Sequence, residues 1–352
     1  MIPYILRRIP VAIFTVLSVS FVAFITMQAP TGDYVDYLTK QCGGQAVFGG
    51  AHEGGNVSCP RSNIGSPIAT TPEAQSLLRE KLGLNKPIIT QYFDWMYKII
   101  FKWDLGYSAR PGGVLTSAGE MILEKMPATI YLTLFTLLIT WILAIPIGIY
   151  SAVRQHTIGD YIFTFLGFTG IAVPDFLLAL IVMYLLYTHF DYSVGTLHSG
   201  EYQFAPWSFG KVIDMLEHLL IPAMVLGTSG TAALIRVMRN NLLDELNKPY
   251  VVTGLSKGVT SWKVILKYPV RVAINPFVSS IGFIIPALIS GSVILSVVMG
   301  LPTLGLLLLG AMQIQDVWLA GDIILMLGIM TVVGTLISDI LLVVVDPRIR
   351  MI

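Results

Sequence analysis

Residues 128–153 read ATIYLTLFTLLITWILAIPIGIYSAV, 26 positions without one charged side chain. A helix needs about 20 apolar residues to cross about 30 Å of hydrocarbon, so this stretch is long enough to span a membrane. Five further stretches qualify: 9–29, 161–188, 219–235, 274–301 and 322–345. The first and fifth of the six are uncharged. Residues 161–188 carry only Asp175, and 322–345 carry Asp322 and Asp339 near their ends. Residues 219–235 are short but are approached through a semi-polar run at 212–218. A core helix of a soluble protein keeps a polar stripe toward water, and these stretches have no charged face.

Composition agrees. Of 352 residues, 55% are hydrophobic and 12% charged, and mean hydropathy is +0.74. An average soluble domain is about 25% charged, so too little charge is present to cover a soluble globule of this size. The net charge of +1 offers no basic excess for nucleic acid. Two cysteines are too few for a disulfide scaffold or a Cys-rich zinc site. The fold class expected is an all-α membrane protein: six transmembrane helices with a large extracytoplasmic insertion after the first. Residues 1–29 hold the N-terminus and first helix, 30–127 the insertion, and 128–352 the five-helix core with a loop at 236–275.

Lys and Arg in short loops orient the spans. Arg7, Arg8, Arg154, Arg236, Arg239, Lys248, Lys257, Lys263, Lys267, Arg271, Arg348 and Arg350 fall on one side of a six-span arrangement. Both termini are therefore read as cytoplasmic. The first stretch opens like a signal peptide, with Arg7-Arg8 before an apolar run. The run exceeds the roughly 7–15 residues of a signal h-region, which favours an uncleaved helix. Cys42 and Cys59 then face an oxidising compartment, where a disulfide is expected; two free thiols are the bland alternative. Leu77, Leu78, Leu82, Ile88, Tyr92, Trp95, Ile99 and Trp103 suggest partly helical structure over 73–103. An amphipathic segment at the membrane interface and packing against the outer helix ends account for it equally well.

Catalytic chemistry is scarce. Gly227-Thr228-Ser229-Gly230 has the look of an intramembrane serine nucleophile, but a nucleophilic serine needs a nearby histidine to take its proton. His218 is eleven residues upstream on the same helix, about 16 Å away at 1.5 Å per residue. Close helix packing is the better role for these small residues. No aspartate has the second glycine expected of an aspartyl intramembrane protease. No phosphate-binding loop, dinucleotide fingerprint or His-Glu-x-x-His motif is present. No cofactor is expected on this chain. Asp175, after Pro174, is the one good mid-span ionisable candidate. An ion-coupled carrier, which places several such groups along its path, is the alternative class.

The stretch 236–275 is basic and amphipathic. Pro249 is placed to be a helix N1 residue and Gly258 a stop, giving a helix of two to three turns that presents Tyr250, Val251 and Leu255. So short a helix needs a partner surface; an anionic leaflet is the competing partner.

Tyr250-Val251-Val252-Thr253-Gly254-Leu255-Ser256-Lys257-Gly258-Val259 is similar to the signature Tyr-Val-x-Thr-Ala-x-Ala-Lys-Gly-Leu. Other pieces follow in order: Ile5-Leu6-Arg7-Arg8-Ile9-Pro10, Leu82-Gly83-Leu84-Asn85-Lys86-Pro87, Asp104-Leu105-Gly106-Tyr107-Ser108, Met126-Pro127-Ala128-Thr129, Asp160, Pro174-Asp175-Phe176, Gly291-Ser292-Val293, Pro302-Thr303-Leu304-Gly305, Asp316, Asp339 and Asp346-Pro347-Arg348-Ile349-Arg350. On these motifs the chain resembles the permeases of the peptide/nickel (oligopeptide and dipeptide) class of ATP-binding cassette importers, first-permease type. Gly254 and Ser256 replace two signature alanines, Leu255 an intervening basic residue, and Ser296 a usual carboxylate.

The resemblance implies a permease in a bacterial or archaeal plasma membrane. Its coupling helix would meet an ATP-binding subunit through Tyr250, Val251, Thr253, Gly254, Leu255, Lys257, Gly258 and Lys263. Gly254 and Gly258 would allow close approach of that partner. ATP and magnesium would reside on two such partner subunits. A second homologous permease, an extracytoplasmic solute-binding protein and membrane lipid complete the expected surroundings. Pro174, Asp175 and Ser296 are the candidates for the translocation path. Peptides lead as substrate, with nickel complexes, glutathione and oligosaccharides as alternatives.

Overall fold

In the computed structural model the described residues are 2–28, 35, 76, 79–80, 84–109, 115–191 and 195–345. Cys42 and Cys59 lie outside them. Helix α1 covers Ile2–Gln28. Pro87 opens α2, Ile88–Tyr97, which runs into one π-helical turn, Lys98–Lys102, closed by Trp103 in the left-handed region at φ 53°. A short antiparallel hairpin pairs Tyr107–Ala109 with Leu115–Ser117. Helix α3, Ala118–Val153, follows directly. It starts ten residues before the expected second span, so residues 118–127 belong to a helix rather than to the insertion.

Thr157 caps α4, Ile158–Ala172. The residue before a proline is pushed out of the helical region. Val173 is accordingly extended at ψ 122°, and α4 ends there. Helix α5, Asp175–Phe190, restarts after Pro174 at an angle of 105° to α4. The expected third span is thus a bent pair. Helix α6, Phe209–Leu246, is 38 residues long and absorbs both the short fourth span and residues 236–246 of the predicted loop. The loop proper holds three short helices: α7, Pro249–Ser256; α8, Ser261–Lys267; and α9, Pro269–Ala273. Helix α10, Asn275–Met299, ends at Gly300 with φ 70°. Helix α11, Leu304–Gln313, turns away by 72°, and α12 covers Val317–Val345. Four helices are long and apolar enough to cross a membrane, or up to six if each bent pair is one span.

The chain divides into two compact units. The larger holds Met1–Ala12, Pro127–Leu306 and Met330–Ile352. One of its cores joins Leu132, Ala179, Leu219, Ala223, Leu226, Leu288, Leu295 and Met299. A second joins Ala144, Ile149, Leu234, Met238, Leu242, Val270 and Phe277. Along α3 runs a buried hydroxyl row, Thr129, Thr133, Thr136 and Thr140. Thr133 and Thr136 donate to the carbonyls of Thr129 and Leu132, which satisfies them inside their own helix. Gly227 of α6 fits against this row: a Cβ there would lie 2.8 Å from Thr140 Oγ1 and 3.3 Å from Thr136 Cγ2. The packing role expected for the Gly227–Gly230 motif is the observed one.

The smaller unit holds Ile13–Met126 and Leu307–Ile329. Phe24, Tyr92, Trp95, Met96 and Leu325 form its core. Polar contacts are threaded through it. Tyr92 meets Ser20 at 2.9 Å, Gln28 donates to Gln91 at 2.9 Å, and Trp95 Nε1 donates to the Asp322 carboxylate at 2.8 Å. Ser108 donates to Asp316 at 2.5 Å. Buried polar groups cost free energy unless paired in this way.

Gly227→Ala is expected to cost about 1–3 kcal/mol by overpacking, seen as a lower unfolding midpoint in detergent. At Gly230 a Cβ would sit at an ordinary 3.8 Å from Thr140. Gly230→Ala gains the same helix propensity without the clash and should hold its midpoint. Equal midpoints for the two variants would show that Gly227 is not a tight contact.

Candidate functional site

The predicted 250–258 helix is present, and the sequence explains its limits. Pro249 is its first residue, where a missing N–H costs nothing. Thr253 and Ser256 donate to the carbonyls of Pro249 and Val252. The backbone then leaves the helix at Gly258, φ 74°, where a residue without a Cβ is favoured.

Val251 is the anchor of the helix, buried against the chain. Gly254 faces inward too: a Cβ on it would stand 3.1 Å from Val264 of α8. Within this chain the close approach it permits is between α7 and α8. Gly258 has open space around it. Tyr250 donates its phenolic hydrogen to Glu245 at the end of α6, tying α7 to the long helix. Burial, with the Glu245 carboxylate beside it, pushes the Tyr250 phenol up to about 12. The phenol therefore remains a neutral donor throughout the physiological range.

The other face is bare. Tyr250, Val252, Leu255, Val259 and Trp262 are all exposed, Val252 at 58% and Trp262 at 53%. Lys248, Lys257, Lys263, Lys267 and Arg271 are exposed around them. Large apolar side chains left exposed in this way, with basic neighbours, are a candidate contact surface. Of the expected contact residues, Tyr250, Thr253, Leu255, Lys257, Gly258 and Lys263 are exposed, whereas Val251 is buried and Gly254 half-buried.

The site's support is a pair the sequence did not reveal. Asp160, buried at the start of α4, receives a forked contact from Arg239 of α6: Nε to Oδ1 at 3.0 Å and a terminal nitrogen to Oδ2 at 3.1 Å. The His156 N–H adds a third bond at 3.1 Å. Arg236, one turn earlier, lies over the Phe168 ring with its guanidinium carbon 4.6 Å from the centroid. Two arginines of α6 thus clasp α4. Thr157-Ile158-Gly159-Asp160 is readable as a helix start, because an acid at the third position suits the positive end of a helix. Its partner 79 residues away is not readable.

The path candidates lie on two helices, Pro174 and Asp175 at the start of α5 and Ser296 on α10. Asp175 begins α5 and is hydrogen-bonded to Ser229 of α6. Pro174 is exposed at the break. Ser296 is fully buried, with its hydroxyl on the Val293 carbonyl at 2.9 Å and Gly305 packed over it. Its observed partners are those of a packing residue. Among the described residues no three His, Cys, Asp or Glu side chains converge to hold a metal.

Removing one partner of a buried ion pair costs about 3–5 kcal/mol. Arg239 keeps some exposure, so Arg239→Gln is expected near the lower figure, about 3 kcal/mol. With Asp160→Asn it should form a double-mutant cycle that misses additivity by about 1 kcal/mol or more, measured by unfolding in detergent. Strict additivity would mean that the two groups do not interact.

Comparison with known proteins now bears on this geometry. Residues 144–351 match the family described as "Binding-protein-dependent transport system inner membrane component". The oligopeptide transport system permease protein AppB of Bacillus subtilis is 30% identical over 99% of this chain and 100% of its own length. The dipeptide transport system permease protein DppB of Escherichia coli is 26% identical over 99% of both chains. The peptidoglycan transport system permease protein YejB of Agrobacterium fabrum is 28% identical over 98% of this chain and 97% of its own. With a family match over more than half its length and a full-length relative at 30% identity, the chain belongs to the inner membrane components of binding-protein-dependent transport systems.

Proposed function

We propose that the chain is the permease subunit of an ATP-driven importer of peptides, forming half of the translocation path and working with a separate ATPase. The observation that carries this reading is the exposed apolar face of Tyr250, Val252 and Leu255, rimmed by lysines and set outside the long apolar helices. Relatives aligned over nearly the whole chain are named for oligopeptide and dipeptide transport, which supports peptides as the cargo.

The mechanism follows from rigidity. The chain has no nucleotide-binding motif of its own, so the driving force must arrive at a surface. Docked on a partner, α7 moves as the partner's two halves close. Tyr250–Glu245 passes that movement to α6, and Arg239–Asp160 passes it on to α4. Such rigid-body transfer is one of the common forms of switching between states. The bend at Val173–Pro174, where α4 gives way to α5, is the place for the two halves of that span to shift. Asp175 sits on this bend and is the polar group offered to a passing solute. Six spans enclose too small a lumen for a peptide, so a second homologous permease completes the path. Selectivity then rests chiefly with an external solute-binding protein. The basic loops support a cytoplasmic position for both termini and α7.

The test is purification from native membranes with Gly258→Arg and Gly258→Asn. Asparagine tolerates the left-handed backbone, so Gly258→Asn should keep both uptake and a co-purifying nucleotide hydrolase. Arginine at the same point obstructs the docking face. It should lose both while membrane insertion and helical content persist. Wild-type uptake by the arginine variant, or a wild-type chain with no hydrolase beside it, would overturn the reading.

A further inference from the structure

Helix α2 and its π-helical extension, Ile88–Lys102, are apolar on two opposite faces. One face is spent inside the smaller unit: Gln91, Tyr92, Trp95 and Met96 pack on Phe24 of α1 and Leu325 of α12. The other face packs on no other helix among the described residues. Ile89, Phe93, Tyr97, Ile100 and Phe101 are exposed at 61%, 64%, 55%, 52% and 71%, and Trp103 at 89%. They form one stripe rather than scattered side chains. Spacing by four places 89, 93, 97 and 101 in a row, and the Tyr97 and Phe101 rings lie 5.1 Å apart. The π-helical turn holds Ile100 and Phe101 beside Tyr97. The left-handed residue Trp103 then ends the helix, with Asp104 N–H bonded to the Lys98 carbonyl.

We propose that Ile88–Trp103 is a membrane-surface anchor, its bare stripe seated in the lipid leaflet at the Gln28 end of α1. Three features favour lipid over a protein partner. Ile89, Phe93, Ile100 and Phe101 carry no polar atom for a protein interface to read. The polar tips present, Tyr97 and Trp103, are the two residue types that gather at headgroup level. Lys98 and Lys102 flank the stripe with long stems, and Lys102 reaches back over the Tyr97 ring at 5.8 Å; lysines so placed lay their stems on apolar surface and set the ammonium among phosphates. Asp94 is occupied by Lys86 and leaves the stripe free of unpaired negative charge. The stripe also adjoins α1, since the exposed Phe21 ring lies 5.1 Å from Tyr92 and Tyr92 lies 5.6 Å from Phe93. Val22 and Ile25 of α1 are exposed on the same span whose Phe24 and Ser20 hold Tyr92 and Trp95. An interfacial helix is a common solution for a segment with a polar-flanked apolar outer side.

The anchor is independent of the transported solute and of the ATPase, so its test can fail alone. The full chain is placed in vesicles of phosphatidylcholine and phosphatidylglycerol whose acyl chains are brominated near the headgroup. Emission of Trp103 is isolated as the difference between wild type and Trp103→Phe, since the chain has six tryptophans. In the Trp103→Phe background, Phe93→Trp places a second probe in the stripe. Both probes are expected to lose most of their intensity to brominated lipid and little to iodide in the water. Quenching by iodide alone would show the stripe in water. Quenching by neither would show it covered by protein, whether residues 40–72 or a partner subunit. Either result overturns the proposal.

Discussion

Hydrocarbon offers no partner for a backbone N–H or C=O, and the architecture follows from that constraint. It dictates helices and also governs where helices can stop. At the Pro174 bend the chain loses one donor to proline and supplies others at once: Val173 N–H reaches the Thr169 carbonyl, and Leu177 and Leu178 return to Pro174. At the second bend Leu301 N–H bonds the Ser296 carbonyl across Gly300. The opening N–H of α11, from Leu304, finds Thr129 Oγ1 of α3 at 3.0 Å. A threonine from a neighbouring helix caps the restart, as broken helices at membrane depth require.

The same economy separates the faces of the molecule. Where apolar surface lies on the long helices it is matched to lipid or to another helix. The face of Tyr250, Val252 and Leu255 is different, because it is apolar outside those helices and surrounded by lysine. A contact surface so placed is useful only if movement there reaches the spans. Glu245, Arg236 and Arg239 lie near the end of α6 and bind α7 and α4 to it. In the proposed mechanism, docking and transmission therefore share one helix end.

Much of this was legible in the chain itself. The apolar runs are long and uncharged, so their crossing of a membrane is a matter of composition. Pro249 and Gly258 bracket α7 because proline suits a helix start and glycine a left-handed exit. Pro174 stands at the bend, because its ring forces Val173 out of the helix. The ends of α3 and α6 were less legible. Residues 118–127 and 236–246 are too polar to be counted with a span, yet the helices run through them, α3 even across Pro127.

Sequence alone thus determined that this protein is a bundle of membrane helices with a short basic helix between two of them, since hydropathy and turn residues act locally. Only the tertiary structure decided which groups those helices bring together. Asp160 meets Arg239, Asp322 meets Trp95, and Gly254 lies against Val264. Contacts between residues far apart in the chain depend on how helices are placed in space, and the local properties that residue order sets do not record that placement.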